Sequence, residues 1–107
     1  MTRLVLFAQA ADDLEQAFDY YFDVANLQLA ERFRDAVGDA LAHIERHPAT
    51  GSTRHSVSDA QPPLRFWTIH KFPYAVFYFA HLQHADPHTN IVRVLHLASD
   101  IPHHLQD

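Results

Sequence analysis

Four side chains in the C-terminal half of the chain have types that bind phosphate or move protons: Arg65, Lys71, Arg93 and His96. Arginine and lysine can stabilise the negative charge that develops during phosphoryl transfer, and histidine can act as a general acid or base near neutral pH. Strand ends of an antiparallel sheet can bring such residues to one edge. The four residues are therefore candidates for a nuclease site in which His96 transfers the proton.

A structural interpretation of the same residues stays open beside the catalytic one. Arg65 and Arg93 can pair with Asp100 or with an acid on a helix, and His96 can be a half-buried strand residue that makes a hydrogen bond. Ion-pair networks place charged groups in the same patterns that active sites use. On sequence alone, structural pairing is favoured over catalysis.

Other kinds of chemistry have little support in the sequence. The chain has no cysteine, which excludes disulfides, thiolate catalysis and cysteine-based zinc sites. It has two glycines, too few for a phosphate-binding glycine loop or a nucleophile elbow. One segment has metal-ligating residue types at a spacing that fits a helix better than a turn, and we interpret it as a solvated loop: His81, His84, Asp86 and His88. His103-His104 is interpreted as a frayed polar tail, and no metal or cofactor is expected.

The charge is distributed unevenly along the chain. The net charge is -5, and it is carried by residues 1–50, which hold nine acids and four arginines. Residues 51–107 hold four acids, four bases and eight of the ten histidines. An acidic chain is a poor free binder of nucleic acid, because phosphate contacts need clustered lysine and arginine. No apolar run approaches the roughly 20 residues needed to span a bilayer, so no membrane partner is expected. The absence of cysteine is compatible with a reducing cytoplasm, which is the expected location.

The 107 residues form a single domain, residues 1–107. A short strand is predicted at Leu4–Ala8, and Gln9–Ala11 is a brief connection. Apolar residues at spacings of three and four predict a helix from Asp12, with Asp12, Asp13 and Glu15 in its first turn. Asn26 is the expected N-cap of a second helix that ends before Pro48 and Gly51. A loop at residues 48–63 follows. Three strands come after it: Leu64–Ile69, Tyr74–Ala80 and Asn90–Leu97.

This order predicts an α+β domain of β-α-α-β-β-β topology, with a helical hairpin packed on one face of a small, mainly antiparallel sheet. The turns between the last three strands are Lys71-Phe72-Pro73 and His81–Thr89. Strand alternation places Phe77 and Phe79 on one face of the sheet and Val76 and Tyr78 on the other. One face meets the helices, and partial exposure of the other would mark a partner surface.

Short motifs in this order resemble a known family, the ParE/RelE superfamily of bacterial type II toxin–antitoxin toxins, and within it the ParE-like (plasmid stabilisation) branch. The motifs run through almost the whole chain: Asp13-Leu14, Tyr20-Tyr21, Ala30-x-x-Phe33, Pro48-x-x-Gly51, Leu64-Arg65, Lys71-Phe72-Pro73-Tyr74 with Tyr78, and Arg93-Val94-Leu95-His96 followed by Asp100. Each motif is weak alone, and together they are specific for the superfamily.

The resemblance implies a compact toxin that a cognate antitoxin neutralises by laying an extended and helical tail along the helices and sheet. ParE-like members are associated with poisoning DNA gyrase through protein–protein contact, without chemistry of their own. RelE-like members cleave mRNA on the ribosome, and Arg65, Arg93 and His96 match polar functional positions of that branch. Lys71 lies in the turn motif that both branches share. A homodimer or a toxin–antitoxin hetero-oligomer is the expected assembly.

Two departures from the family pattern bear on the choice between these branches. Many ParE-like chains carry Gly and Arg between this histidine and the aspartate, whereas the present segment reads His96-Leu97-Ala98-Ser99-Asp100. The chain is also acidic, while a nuclease that docks on ribosomal RNA is expected to be strongly basic. The charge favours the gyrase interpretation, with a RelE-like mRNA endonuclease and a non-toxic interaction module as alternatives.

Overall fold

The structure, a computed structural model, describes residues 1–105 as a helical hairpin packed on a four-stranded sheet. Three strands follow the hairpin, and a short helix closes the described part of the chain. In chain order the elements are β1 (Arg3–Leu6), α1 (Ala8–Val24), α2 (Leu27–Arg46), a single 3-10 turn (Pro48–Thr50), β2 (Leu64–Thr68), β3 (Tyr74–His81), β4 (His88–His96) and α3 (Ile101–Leu105). The predicted β-α-α-β-β-β order is confirmed, and α3 is an addition to it.

The second helix begins where the sequence predicts. The side-chain oxygen of Asn26 accepts a hydrogen bond from the amide of Leu29 at 2.8 Å, which satisfies one of the unpaired donors at the helix start. Along α2, one face is buried: Ala30, Phe33, Val37, Ala40 and Ile44. Only two residues separate α1 from α2, so the two helices run antiparallel as a hairpin.

The first helix begins one turn earlier than predicted. It starts at Ala8 and includes Gln9–Ala11, so the predicted connection there is wrong. Asp12 and Asp13 therefore lie in the second turn, and the first turn contains no acid. The physical reason is tertiary: the amide of Phe7 donates to Ile91 O of β4 at 2.9 Å, and the carbonyl of the same residue accepts from Ala11, so the chain passes directly from the sheet into the helix.

The sheet has the strand order β1-β4-β3-β2 and is mixed. β3 pairs antiparallel with both β2 and β4, as the meander predicts, and β1 pairs parallel with β4. A bulge between Phe77 and Tyr78 leaves Val92 without a register partner, because Phe77 pairs with Arg93 and Tyr78 with Ile91. The turn between β3 and β4 is shorter than predicted, since His81 and His88 lie in the strands.

The sheet faces separate as strand alternation predicts. Val76 and Tyr78 belong to the core beneath the helical hairpin, whereas Phe77 and Phe79 belong to a second cluster on the opposite face. The second face is more covered than expected, because α3 and the loop before β2 pack on it. Ile101 is buried there, and the imidazole of His55 lies 5.4 Å from the Phe66 ring. His103 and His104 are thus part of a docked helix, not a frayed tail.

A buried tyrosine fixes the loop after α2 to the sheet. The hydroxyl of Tyr78 donates to Pro48 O at 2.9 Å and accepts from the amide of Gly51 at 3.0 Å. A Cβ atom at Gly51 would collide with the Tyr78 ring and hydroxyl, so this close approach requires glycine. Burial raises the pKa of Tyr78 above its ordinary value, against smaller opposite effects of the Gly51 hydrogen bond and of Arg65.

We expect Tyr78→Phe to destabilise the fold by about 1–3 kcal/mol, because it leaves a buried amide and a carbonyl without partners. The wild-type stability should fall as pH rises above 10.0, since the folded state holds the phenol proton more tightly than the unfolded chain does. Urea unfolding between pH 7 and 11 measures both effects. The Phe variant should lose stability less steeply above pH 10, and an unchanged slope would contradict the assignment.

Candidate functional site

The best-defined polar contact in the structure joins Arg93 of β4 to Asp13 of α1. Arg93 Nε lies 2.8 Å from Asp13 Oδ2, and Arg93 Nη2 lies 3.1 Å from Asp13 Oδ1. This two-pronged geometry is the strong form of an arginine–carboxylate pair. Both side chains are mostly buried, at 16% and 14% exposure. A third contact runs from Arg93 Nη1 to His104 O at 3.3 Å, which ties α3 to the same arginine.

The Asp13 carboxylate also completes the edge of the sheet. β1 pairs with β4 only as far as Ile91, so the amide of Val94 has no strand partner on that side. Asp13 Oδ2 accepts a hydrogen bond from this amide at 2.9 Å. A buried amide without a hydrogen-bond partner would cost free energy. Asp13 of α1 therefore supplies the acceptor that a neighbouring strand would otherwise provide.

His96 lies at the end of β4, beside the residue that begins β3. Its ring packs edge-on against Tyr74 at 5.0 Å, and its Nδ1 accepts a hydrogen bond from the amide of Ala98 at 3.0 Å. The neutral ring therefore carries its proton on Nε2. Burial raises the pKa of Tyr74, with a further contribution from Tyr20.

Arg93 and His96 line one open cavity of about 330 Å³, together with Tyr20, Tyr74 and Ser99. The other two candidates lie elsewhere. Arg65 of β2 donates to Gly51 O at 2.9 Å and lines a separate cleft beside Pro62 and His81.

Lys71 lies in the turn between β2 and β3, where its φ of 68° places it in the left-handed region. It is exposed, and it borders a third cavity together with Arg32, Asp35 and His70. The cavity of Arg93 and His96 has a volume of about 330 Å³ and includes neither Lys71 nor Arg65. Of the four candidate residues, the structure therefore brings together only Arg93 and His96.

Sequence reasoning singled out Arg93 and His96 of β4, and its structural alternative of pairing between Arg93 and a helix acid is confirmed. It did not identify which acid, nor the aromatic groups nearby. The acid that pairs with Arg93 comes from α1, 80 positions earlier. Its sequence signals are an acid beside the apolar stripe of a helix, which many solvated helices also show, and the short Asp13-Leu14 motif of the family resemblance. Tyr20 belongs to the Tyr20-Tyr21 motif and Tyr74 opens a predicted strand, and only the packing of α1 on β4 brings them to the cavity.

The histidine-rich segment forms a cluster of rings at the β3–β4 turn. His81 and His88 are cross-strand partners with ring centroids 4.8 Å apart, and the His84 ring lies 5.1 Å from that of His88. The rings of His81 and His88 are stacked, so their in-plane lone pairs do not converge. Within residues 1–105, no three histidine or acidic side chains are arranged to hold a metal ion.

Two apolar grooves open on the surface of the described chain. One, of about 600 Å³, crosses the second sheet face and is lined by residues that include Phe7, Leu64, Phe79, Val92 and Leu105. The other, of about 200 Å³, lies between α1 and α2; we call it the hairpin groove, and it is lined by Leu14, Glu15, Phe18, Phe33, Arg34 and Val37. None of the helices in residues 1–105 combines the length and apolar character needed to cross a membrane.

Comparison with known proteins identifies the family of the chain. A family model described as "ParE toxin of type II toxin-antitoxin system, parDE" matches residues 4–101. This chain belongs to the ParE toxin family. The match runs from the second residue of β1 to the first residue of α3, and so contains Asp13, Arg65, Lys71, Arg93 and His96.

A solved structure supports the same fold. The protein described as "Chromosomal ParDE TA system from P. aeruginosa" superposes with a TM-score of 0.71 at 18% sequence identity, over 91% of this chain and 97% of that chain. Identity at this level shows the fold alone. No curated protein sequence matches the chain. The ParE family assignment thus rests on the family model, and the ParE-like α+β fold on the structure itself and this superposition.

For this ParE-family chain, we expect Asp13→Ala to lower the free energy of unfolding by about 3 kcal/mol, because it leaves a mostly buried guanidinium and the Val94 amide unpaired. Asp12→Ala is the matched control, since the exposed neighbouring acid makes no ion pair within the described residues and should change stability by less than about 0.5 kcal/mol. Urea unfolding at pH 7 compares the two variants. Equal losses in both would contradict the role given to Asp13.

Proposed function

We propose that this ParE-family chain is a toxin that a cognate antitoxin neutralises, and that it acts on DNA gyrase by protein–protein contact. The family model supports a type II toxin. The choice of gyrase follows from the ParE-like branch that the sequence motifs resemble. The location implied by this role is the bacterial cytoplasm, where gyrase and DNA are found.

The observation that carries this proposal is the separation of the candidate catalytic residues. A nuclease of the RelE type would need Arg65, Arg93 and His96 to converge on one phosphate. In this structure Arg65 lines a different cleft from the cavity that Arg93 and His96 share. Arg93 is moreover engaged by the Asp13 carboxylate, which neutralises the charge that a phosphate would need.

The charge of the chain supports the same conclusion. A protein that binds ribosomal RNA gains most of its affinity from lysine and arginine contacts with phosphate. This chain has a net charge of -5, and the acids are concentrated in the helical half. A partner surface with basic residues, as expected on a protein that itself binds DNA, suits this charge better than RNA does.

A second candidate function is a ribosome-dependent mRNA endonuclease, and one observation favours it. Arg93 and His96 border one open cavity together with Tyr20, Tyr74 and Ser99. His96 would present Nε2 as the proton-transferring atom, because its Nδ1 is already occupied by the Ala98 amide. Under this alternative, substrate binding must draw Arg93 away from Asp13.

Growth and DNA topology separate the two functions. We expect induction of the chain in bacterial cells to arrest growth, to trigger the DNA-damage response and to leave mRNA uncut at codon boundaries. We expect the purified chain to inhibit supercoiling by gyrase. Co-expression of the protein encoded by the neighbouring reading frame should restore growth, because that protein is the expected antitoxin.

The double variant Arg65→Ala/His96→Ala distinguishes the mechanisms further. Under the gyrase proposal it should arrest growth as the wild type does, because neither residue performs chemistry. Thermal unfolding of the variant confirms that it remains folded. Cleavage of mRNA by the wild type that disappears in this double variant would establish the endonuclease instead, and absence of any growth effect in the wild type would favour a non-toxic interaction module.

A further inference from the structure

A cleft at the β2 edge of the sheet carries several hydrogen-bond donors and no acid. It has a volume of about 510 Å³, and we call it the Arg65 cleft. Its polar side chains come from β2, from the end of β3 and from the segments beside these strands: Gln61, Arg65, His81, Gln83 and His84. Among residues 1–105, no aspartate or glutamate lines it. Such a lining favours a negatively charged ligand.

The register of the sheet leaves this cleft open. β2 begins at Leu64, which pairs with Phe79, so the last two residues of β3 extend past the start of β2: Ala80 and His81. The residues before β2 are Pro62 and Pro63, and proline has no amide hydrogen with which to continue a strand ladder. The space beside the end of β3 is therefore bordered by two rigid rings instead of by further strand pairs.

Arg65 is held in position in this cleft without being neutralised. Its Nη1 donates to Gly51 O at 2.9 Å, and an uncharged carbonyl fixes a guanidinium while leaving its positive charge in place. Neither ion pair of residues 1–105 includes Arg65, whereas Arg3 and Arg93 each pair with an aspartate. A guanidinium has several further N–H donors, and Arg65 forms no other hydrogen bond within residues 1–105. These donors are available to a ligand.

Two histidines add neutral donors to the lining. The Nδ1 atom of His84 accepts a hydrogen bond from Asp86 N at 3.2 Å, so the neutral ring carries its proton on Nε2. The ring of His81 is stacked on that of His88, with 4.8 Å between the centroids. The donors of the cleft thus come from three separate segments of the chain. One arginine fork can satisfy a carboxylate, whereas a tetrahedral phosphate group presents oxygens in several directions and suits donors from several segments.

We propose that the Arg65 cleft binds the phosphate group of a phosphate ester, with Arg65 supplying the charge and His84 Nε2 supplying a neutral hydrogen bond. The ester is either a free nucleotide or one unit of a nucleic-acid strand, since both present this group. The volume of about 510 Å³ is in the range of small-molecule sites, and Pro62, Ala80 and Leu82 supply apolar walls for the rest of the ester. This inference goes beyond the proposed function and does not depend on it.

Titrations followed by nuclear magnetic resonance, in a buffer free of phosphate, test the proposal. We expect inorganic phosphate and thymidine monophosphate to shift the amide signals of Arg65 and of residues 80–84, with a Kd of about 1 mM for the monophosphate. Thymidine and acetate should leave these signals unchanged, because neither carries a phosphate. Absence of the shifts at about 20 mM monophosphate, or equal shifts with thymidine or acetate, would overturn the proposal.

A short oligothymidylate strand distinguishes the two sources of the phosphate. The strand and the monophosphate are compared at equal phosphate concentration. Tighter or equal binding of the monophosphate, at the same amide signals, would support the site and identify a free ester as its ligand. Tighter binding of the strand at those signals would support the site and identify nucleic acid.

One pair of substitutions adds an acid to the chain. Gln83→Glu places it in the Arg65 cleft, and Gln28→Glu places it at an exposed position of α2 outside the cleft. Both variants change the net charge equally. We expect the first to weaken binding of thymidine monophosphate about tenfold and the second less than about twofold, because only the first sets a carboxylate in the cleft. Equal weakening would mean that the overall charge, and not this cleft, attracts the phosphate.

A second pair of substitutions removes an arginine. Arg65→Gln removes the charge of the cleft, and Arg54→Gln removes the charge of an exposed arginine that lies over the Phe66 ring, outside the cleft. We expect only Arg65→Gln to abolish the shifts caused by thymidine monophosphate, and shifts that persist in this variant would contradict the role given to Arg65. Thermal unfolding checks that it is folded. Gln83→Glu keeps the Arg65 contact with Gly51 O and so tests the cleft even if Arg65→Gln unfolds.

Discussion

The fold depends on the carboxylate of Asp13, which accepts a backbone hydrogen bond from β4 at a position where β1 no longer pairs with it. Asp13 binds the Arg93 guanidinium with both oxygens and also accepts the Val94 amide at 2.9 Å. Through these contacts the first helix is fixed to β4 where β1 no longer covers it. Arg93 extends the connection to α3 through His104 O. Two helices and β4 are thereby held around one mostly buried ion pair, whose acid lies 80 positions before its arginine. Loss of either partner would leave an uncompensated charge.

This interaction limits what the candidate site can do. An arginine that is held by a carboxylate and positions two helices is poorly placed to bind a phosphate as well, because both tasks need the same guanidinium donors. Tyr78 ties the loop after α2 to the sheet, and Arg65 donates to the same loop at Gly51 O. The polar residues of the sheet thus make contacts within the chain. The outer surface of the helical hairpin differs, since its exposed acids form no ion pair within the described residues.

Exposed acids on the helical hairpin that form no ion pair within the described residues agree with a protein that acts by binding other proteins. Under the proposed function, the chain must bind both an antitoxin and gyrase. Both tasks need exposed apolar area with a charged rim. The chain offers two such areas, one across the second sheet face and one between α1 and α2.

The sequence by itself determined the element order, the Asn26 cap, the two faces of β3 and the family resemblance, because each is encoded by residues a few positions apart. Only the tertiary structure decided where α1 begins, that β1 joins β4 in parallel, and that α3 covers the second face. It alone paired Arg93 with Asp13 and separated Arg65 and Lys71 from His96. The physical reason is strand register: which distant side chains meet depends on pairing and packing across the whole sheet, and no local pattern records it.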